Sequence, residues 1–234
     1  MGPKNPSTEP SNSGCRLQAG ILQQFVPAWK EINSDHDVLD WVEHCHIEFM
    51  DNAPPIQYGG LSEHQIQRQR ISYHRCRNCQ TPGQRGCCGV SSFRGRFYLS
   101  CFLRLKKNGI DYRMILNLKE LNKFVAYQHF KMDSLKCVTS LMTQGCYMAS
   151  VDTRDAYYTV PVALEHQKYL KFTWRDKLYQ YTCLTNGLAS APRIFTKLLK
   201  TVFKVLRQKR PFIFVINAYR WLLSLRWLIC QMSC

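Results

Sequence analysis

The chain has 234 residues, and 45% of them are hydrophobic, which is typical of a globular protein and not of a disordered one. Its 32 lysines and arginines exceed its 16 aspartates and glutamates, giving a formal net charge of +16. This excess favours an anionic partner, either a nucleic acid or an anionic membrane surface, over a basic protein whose charges are only solvated.

The first residues and the cysteines indicate the compartment. Residues 1–20 are polar and rich in proline and serine, so we expect a disordered leader and no signal peptide. The 12 cysteines have no regular spacing. We therefore expect an intracellular protein, in the cytoplasm or nucleus, whose thiols are mostly reduced.

Residues 21–98 form an N-terminal helical and irregular region. The apolar spacing predicts short helices over 22–32 and 37–49, followed by a Pro/Gly linker at 51–60. Beyond it lie four cysteines that raise the question of a zinc site, and these are Cys76, Cys79, Cys87 and Cys88. Because the second pair is adjacent in sequence, tetrahedral closure is restricted, and a loop without metal is the alternative.

Regular strand patterns begin at Phe102. Residues 102–107 and 112–117 flank an Asn-Gly turn and predict an antiparallel hairpin. Residues 147–152 predict a third strand, and 168–174 with 178–183 predict a second hairpin.

A long amphipathic helix is predicted from Ser190 to about Arg207. Serine suits the N-cap and Pro192 suits the first turn. One face is apolar, with Phe195, Leu198, Val202 and Leu206. The opposite face carries cations that we expect to contact nucleic-acid phosphates, unless they are merely solvated, and these are Lys197, Lys200, Lys204 and Arg207.

Asp152, at the end of the third predicted strand, is a candidate metal ligand. Two-metal nucleotidyl transfer requires carboxylates on adjacent strands, holding two cations about 3.5–4 Å apart. Asp155 would face away from Asp152 on a continuing strand. Only a turn into a helix after Asp152 would bring residues 153–157 around an incoming triphosphate.

These blocks resemble reverse transcriptases. The segment "SVDTRDAYYTVPV" is similar to the first catalytic motif of that family, and "YTCLTNGLASAPRIFTKLLK" is similar to the motif that follows. The order of blocks over about residues 99–207 is most similar to DIRS-type retrotransposon polymerases. The resemblance implies an α+β fold with the fingers and a partial palm of a right-hand polymerase, divided into 99–146 (fingers), 147–210 (partial palm) and 211–234 (divergent apolar tail).

The resemblance also implies site residues. Asp152 would be the catalytic residue and would bind Mg²⁺ or Mn²⁺, and Tyr157 would exclude a ribose 2′-hydroxyl. The remaining residues would contact the deoxynucleotide and the RNA or DNA primer–template, and these are Lys106, Arg113, Thr153, Arg154, Asp155, Ala156, Asn186 and Gly187.

The family's second carboxylate pair has no counterpart in this sequence. It should lie on a hairpin after the long helix, where the best superposition places Ile216 and Asn217. After Asp176 the sequence contains no aspartate or glutamate. The apolar tail is about long enough for a transmembrane helix, but Arg220 and Arg226 would each cost about 2.5–3.5 kcal/mol, so a strand is favoured.

We therefore expect a degenerate or truncated reverse transcriptase that is inactive by itself. The ancestral reaction would be RNA-directed DNA synthesis, and other retroelement proteins are possible partners. One alternative is a non-catalytic remnant that binds nucleic acid. Another is a membrane-associated or zinc-stabilised interaction protein.

Overall fold

The structure, a computed structural model, describes part of the chain. The described residues are 18–55, 87–89, 99–105, 112–131, 144, 147–153, 155–174, 177–209, 213–220 and 224–231. They combine helices and sheets, as the α+β class predicts.

The described helices begin in the N-terminal region. A 3-10 turn, Ile21–Phe25, leads into α1 (Val26–Ile32), and α2 (His36–His44) follows with the Asp35 side chain accepting the Asp37 amide at its N-terminus. The predicted helix over 37–49 is therefore wrong beyond His44. Residues 45–49 are extended because they form bridges with Val162 and Val125.

Among the described residues, three further α-helices follow. They are α3 (Lys119–Asn122), α4 (Leu164–Gln167) and α5 (Ala191–Lys209). Helix α5 confirms the predicted long helix, with Pro192 in its first turn. The predicted serine cap is wrong, since the Ser190 hydroxyl is buried and has no hydrogen-bond partner among the described residues.

Eight strands form three antiparallel sheets in the described residues. The first has the order β1-β6-β5, the second is the hairpin β2-β3, and the third has the order β4-β8-β7. The strands are β1 (Cys87–Gly89), β2 (Cys101–Leu105), β3 (Tyr112–Leu116), β4 (Tyr147–Thr153), β5 (Lys171–Trp174), β6 (Lys177–Tyr181), β7 (Ile213–Arg220) and β8 (Ser224–Gln231).

The predicted hairpins are present. Phe102 pairs with Ile115 in the first, and Phe172 pairs with Tyr179 in the second. The second hairpin begins later than predicted, because Lys168–Leu170 is a 3-10 turn. The apolar tail forms the strands β7 and β8, and among the described residues no helix is long and apolar enough to cross a membrane.

One hydrophobic core joins the N-terminal helices to later elements as far as α5. It includes Trp41 and Val42 of α2, Leu121 of α3, and Ile194 and Leu198 of α5. Residues of the predicted N-terminal region thus pack with those of the predicted fingers and palm. The predicted domain boundaries themselves stay predictions.

Candidate functional site

The turn after β4 places the candidate nucleotide-facing residues. β4 ends at Thr153, Asp155 adopts a left-handed conformation (φ 53°), and a 3-10 helix spans Ala156–Thr159. The Tyr158 amide donates to the Asp155 carbonyl at 3.0 Å, which closes the turn. A non-glycine residue at positive φ costs free energy, so surrounding contacts must hold this turn. The strand thus continues through Thr153, and the chain turns at Asp155, while Arg154 lies outside the described residues.

The two tyrosines of this turn have different environments. Tyr157 is half-buried, and its ring meets Phe195 of α5 edge-on with centroids 5.7 Å apart. Tyr158 is buried, stacks on Tyr181 at 5.9 Å, and its hydroxyl accepts a hydrogen bond from Asn186 Nδ2 at 3.2 Å. Tyr157 is thus the more accessible of the two, while Asn186 is anchored to the core tyrosine.

A second turn, around Gly187, is held by a residue that the sequence did not identify. Asn122 Nδ2 donates to the Gly187 carbonyl at 2.9 Å, and Asn122 Oδ1 accepts the Ala189 amide at 2.9 Å. Gly187 has φ 97°, a conformation that favours glycine. A single amide side chain at the end of α3 therefore fixes both sides of the turn carrying Asn186 and Gly187.

The sheet β4-β8-β7 determines what stands beside Asp152. Asp152 is the register partner of Arg226 in β8, and Arg226 is the partner of Ala218 in β7. Asn217 pairs with Trp227, one position out of that row. Ile216 pairs with Leu228, two positions out of the row. The residues in register with Asp152 are thus a cation and an alanine.

This donor set does not fit a two-metal centre. Such a centre requires further carboxylates near the first, and the row of Asp152 provides none. Among the described residues no group of three or more His, Cys, Asp and Glu side chains could hold a metal ion. In the described part of the chain, no ligand set for the Mg²⁺ or Mn²⁺ expected from the family is therefore found beside Asp152.

Of the two residues predicted to clamp phosphates on the fingers hairpin, the structure describes only the backbone of Arg113. Arg113 lies in β3 and pairs with Arg104 of β2, whereas Lys106 lies outside the described residues. Thr153, at the end of β4, has a buried hydroxyl without a hydrogen-bond partner among the described residues. The role of these residues in binding a nucleotide stays a prediction.

The cations of α5 are exposed, as predicted, but they are not equivalent. Lys197 Nζ lies 5.5 Å from the centroid of the Trp41 ring. Lys200 Nζ donates to the Lys131 carbonyl at 3.4 Å. Lys204 and Arg207 lie further along the exposed side of the helix. Val202 of the predicted apolar stripe is 38% exposed, whereas Leu199, Phe203 and Leu206 pack against the core.

Two of the four cysteines considered for a zinc site, Cys87 and Cys88, lie in β1. Cys87 is buried beside Tyr181, and Cys88 is exposed, with its thiol 3.8 Å from the Gln180 carbonyl. Because successive strand residues face opposite sides of a sheet, these two thiols cannot ligate one zinc ion while β1 is formed. Cys76 and Cys79 lie outside the described residues.

A histidine pair connects the extended segment after α2 to helix α4. His46 Nδ1 lies 3.1 Å from Asp40 Oδ2, and His46 Nε2 lies 2.9 Å from Glu165 Oε1. Partial burial opposes its charged form, but the hydrogen bonds to both carboxylates outweigh burial and raise the pKa of His46. Both ring nitrogens can donate only in the imidazolium form.

The neighbouring His166 is held in the opposite state. The Ile47 amide donates to His166 Nδ1 at 2.8 Å, so this nitrogen carries no proton. Burial, followed by the charge of His46, lowers the pKa of His166. The two rings meet edge-on with centroids 5.2 Å apart. His46 thus favours the protonated form and His166 favours the neutral form, although their rings are in contact.

Comparison with known proteins identifies the family that this site resembles. Residues 105–220 match the family described as reverse transcriptase (RNA-dependent DNA polymerase). The chain is 30% identical over 121 residues to the Pol polyprotein of equine infectious anemia virus (isolate 1369), covering 49% of this chain and 10% of that protein.

Two other relatives are more distant. The chain is 29% identical over 117 residues to the Gag-Pol polyprotein of avian reticuloendotheliosis virus, covering 47% of this chain and 10% of that protein. It is 27% identical over 85 residues to the Pro-Pol polyprotein of simian foamy virus type 1, covering 36% of this chain and 7% of that protein. The chain spans a tenth or less of the length of these relatives.

Proposed function

From the premise that residues 105–220 carry a reverse transcriptase-like domain, we propose that the chain is the fingers and part of the palm of a DIRS-type retroelement polymerase. The ancestral reaction joins a primer 3′-hydroxyl to the α-phosphate of a deoxynucleotide and releases pyrophosphate. The copy encoded here is degenerate and does not extend a primer by itself. Primer–template and deoxynucleotide are the corresponding ligands.

The composition of the sheet beside Asp152 carries this proposal. Two-metal transfer offsets the charge on the transferring phosphate with cations that carboxylates hold. Arg226 and Ala218 occupy the row of Asp152, and the sequence has no carboxylate after Asp176. Loss of one electrostatic element of an active site commonly lowers the rate about a hundred- to a thousand-fold. Loss of the second pair therefore predicts no measurable extension.

Deoxynucleotide incorporation on a poly(rA) template with an oligo(dT) primer tests the proposal. The assay is run in magnesium and in manganese, with Asp152→Asn as the matched control. We expect the two proteins to give equal, background incorporation. Template-dependent extension that Asp152→Asn abolishes would refute inactivity, and it would require a carboxylate from a second polypeptide, such as another retroelement protein.

A second candidate function is nucleic-acid binding without catalysis. The exposed cations of α5 and the net charge of +16 favour it. Both functions use the same fold, and both predict salt-dependent binding to nucleic acid. The primer-extension assay distinguishes them, because it measures catalysis and not binding. The zinc-stabilised and membrane-associated alternatives are less favoured, because Cys87 and Cys88 lie on opposite faces of β1 and the apolar tail contains two strands.

A further inference from the structure

Gly20 contacts the turn that carries Tyr157, although Gly20 lies outside the region that matches the family. Its amide donates to the Tyr158 carbonyl at 2.8 Å. Gly20 has φ 67°, and a Cβ atom added there would lie 3.2 Å from the Cβ of Pro161. Both the conformation and the close approach to Pro161 thus favour glycine at this position.

Cys45 holds the next residues of the same segment. Its amide donates to the Pro161 carbonyl at 3.1 Å, and its carbonyl accepts the Ala163 amide at 3.0 Å. These bonds form a parallel bridge between Cys45 and Val162. Cys45 is fully buried, so water does not compete for either bond.

The opposite side of this segment is held by the chain that follows β6. The Val162 amide donates to the Thr182 carbonyl at 2.9 Å, and the Leu184 amide donates to the Val160 carbonyl at 2.9 Å. Residues 158–163 therefore lie between two neighbours, one from inside the matched region and one from outside it. Tyr157 directly precedes the first carbonyl that is held in this way.

We infer that Gly20 and Cys45 form a brace that positions Tyr157, with Gly20 fixing the turn and Cys45 fixing the segment after it. Gly20 is a positioning residue, since it acts on Tyr157 through the Tyr158 carbonyl. The inference rests on the proposed function in one respect, namely that Tyr157 contacts a nucleotide. It implies that the nucleotide side of this domain depends on sequence that precedes the matched region.

Gly20→Ala in the full chain tests the brace. The alanine side chain disfavours positive φ and crowds Pro161, so the turn should open locally more often. We expect the Tyr158 and Val160 amides to exchange with deuterium about tenfold faster, with the Leu198 amide of α5 unchanged. Gly20→Asn should give a smaller increase, because asparagine tolerates the left-handed region better than alanine.

Val38→Ala is the matched control, since Val38 is a buried residue of α2. It lowers stability by cavity formation, so it should speed exchange at Leu198 as much as at Tyr158. Unchanged exchange at Tyr158 and Val160 in Gly20→Ala would overturn the brace. So would a uniform increase in exchange like that of Val38→Ala.

A second measurement separates positioning from stability. Competition between dUTP and UTP for the complex with poly(rA)·oligo(dT) reports recognition of the 2′-hydroxyl alone. We expect a preference for dUTP that falls several-fold in Gly20→Ala and persists in Val38→Ala. An unchanged preference in Gly20→Ala would overturn the positioning role. If the wild-type chain binds neither nucleotide, the proposed nucleotide site fails, whereas amide exchange still decides whether the brace exists.

Discussion

Arg193 of α5 and Glu48 of the segment after α2 form an ion pair with Nη2 and Oε1 2.7 Å apart. The Arg193 side chain is only 6% exposed and lies over the Trp41 ring at 5.3 Å. The Glu48 carboxylate also accepts a hydrogen bond from Gln128. One carboxylate thus connects the N-terminal segment, helix α5 and the chain that follows α3.

Glu48→Gln should destabilise the protein, because it leaves a buried guanidinium beside a neutral amide. We expect a loss of about 2 kcal/mol in the free energy of unfolding, below the 3–5 kcal/mol of a fully buried pair, since Glu48 is one-third exposed. Urea denaturation measures it. Glu43→Gln is the control, because its contact with His44 is exposed and should contribute less than about 0.5 kcal/mol. Equal losses in the two variants would contradict a special role for Glu48.

His46→Gln should have an effect that depends on pH. The pKa of His46 is raised on folding, so its contribution is fully present below pH 6.5 and is lost as the pH rises through the raised value. Because this side chain is 42% exposed, we expect a loss of only about 0.5 kcal/mol at pH 5.5, and a smaller loss at pH 8.5. Urea denaturation at the two pH values measures the difference.

The contribution of His166 to stability should have the opposite pH dependence to that of His46. The pKa of His166 is lowered on folding, so its contribution is present above pH 6.5 and is lost as the pH falls toward the lowered value. Removing the His46 charge should move the pKa of His166 back toward its ordinary value, which NMR titration of the ring can follow in His46→Gln. A pKa of His166 that is identical in the two proteins would show that the His46 charge does not contribute to the shift.

Thr185→Val should stabilise the protein. The Thr185 hydroxyl is buried and has no hydrogen-bond partner among the described residues, so the isosteric valine removes an unsatisfied polar group. We expect a gain of about 1 kcal/mol in thermal or urea denaturation. Thr196→Val is the control, since Thr196 is equally buried but has a partner, and it should lose stability. A loss in Thr185→Val would indicate that its hydroxyl is satisfied in solution.

Charge removal on α5 should flatten the salt dependence of primer–template binding. Replacing Lys200, Lys204 and Arg207 by glutamine should reduce the log–log slope by about 0.7–0.9 for each phosphate that is no longer neutralised. Lys197→Gln should reduce it less, because Lys197 lies over the Trp41 ring. Fluorescence anisotropy between low and high salt measures the slope. A slope unchanged by the triple substitution would show that these cations are only solvated.

Restoring aspartates at positions 216 and 217 should not restore extension. Asn217 is one position out of the row of Asp152 and Ile216 is two positions out, so neither is in register with Asp152. The double variant should match the background of Asp152→Asn in the poly(rA) assay. Activity above that background would refute this sheet register, because aspartates outside the row of Asp152 would then complete the site.

Local sequence was enough to predict much of the fold. The strands on either side of the Asn-Gly sequence and the amphipathic α5 were predicted from residue pattern, and both are present. Residues 45–49 were predicted as helix from apolar spacing, but pairing with Val162 and Val125 overrides that local preference. The short strand β1 has no pattern of its own, because it exists through pairing with β6, more than eighty residues later.

The candidate site also combines a feature that the sequence indicated with contacts that it did not. The resemblance to reverse transcriptases implied a turn close after Asp152, and the chain does turn at Asp155. The contacts of Asn122, Glu48 and Gly20 could not be predicted, since each acts through a partner distant in sequence, and no local pattern marks such a pair.

The position of β8 between β4 and β7 has a consequence for synthesis of the chain. In the part of the chain that the structure describes, β4 is paired through β8 alone, and these strands are more than seventy residues apart. The strand that carries Asp152 therefore remains without its partner β8 until residues 224–231 have been synthesised and have left the ribosome. During that interval its edge is open to other strands, so a ribosome that stalls before residue 224 should yield a product prone to aggregation.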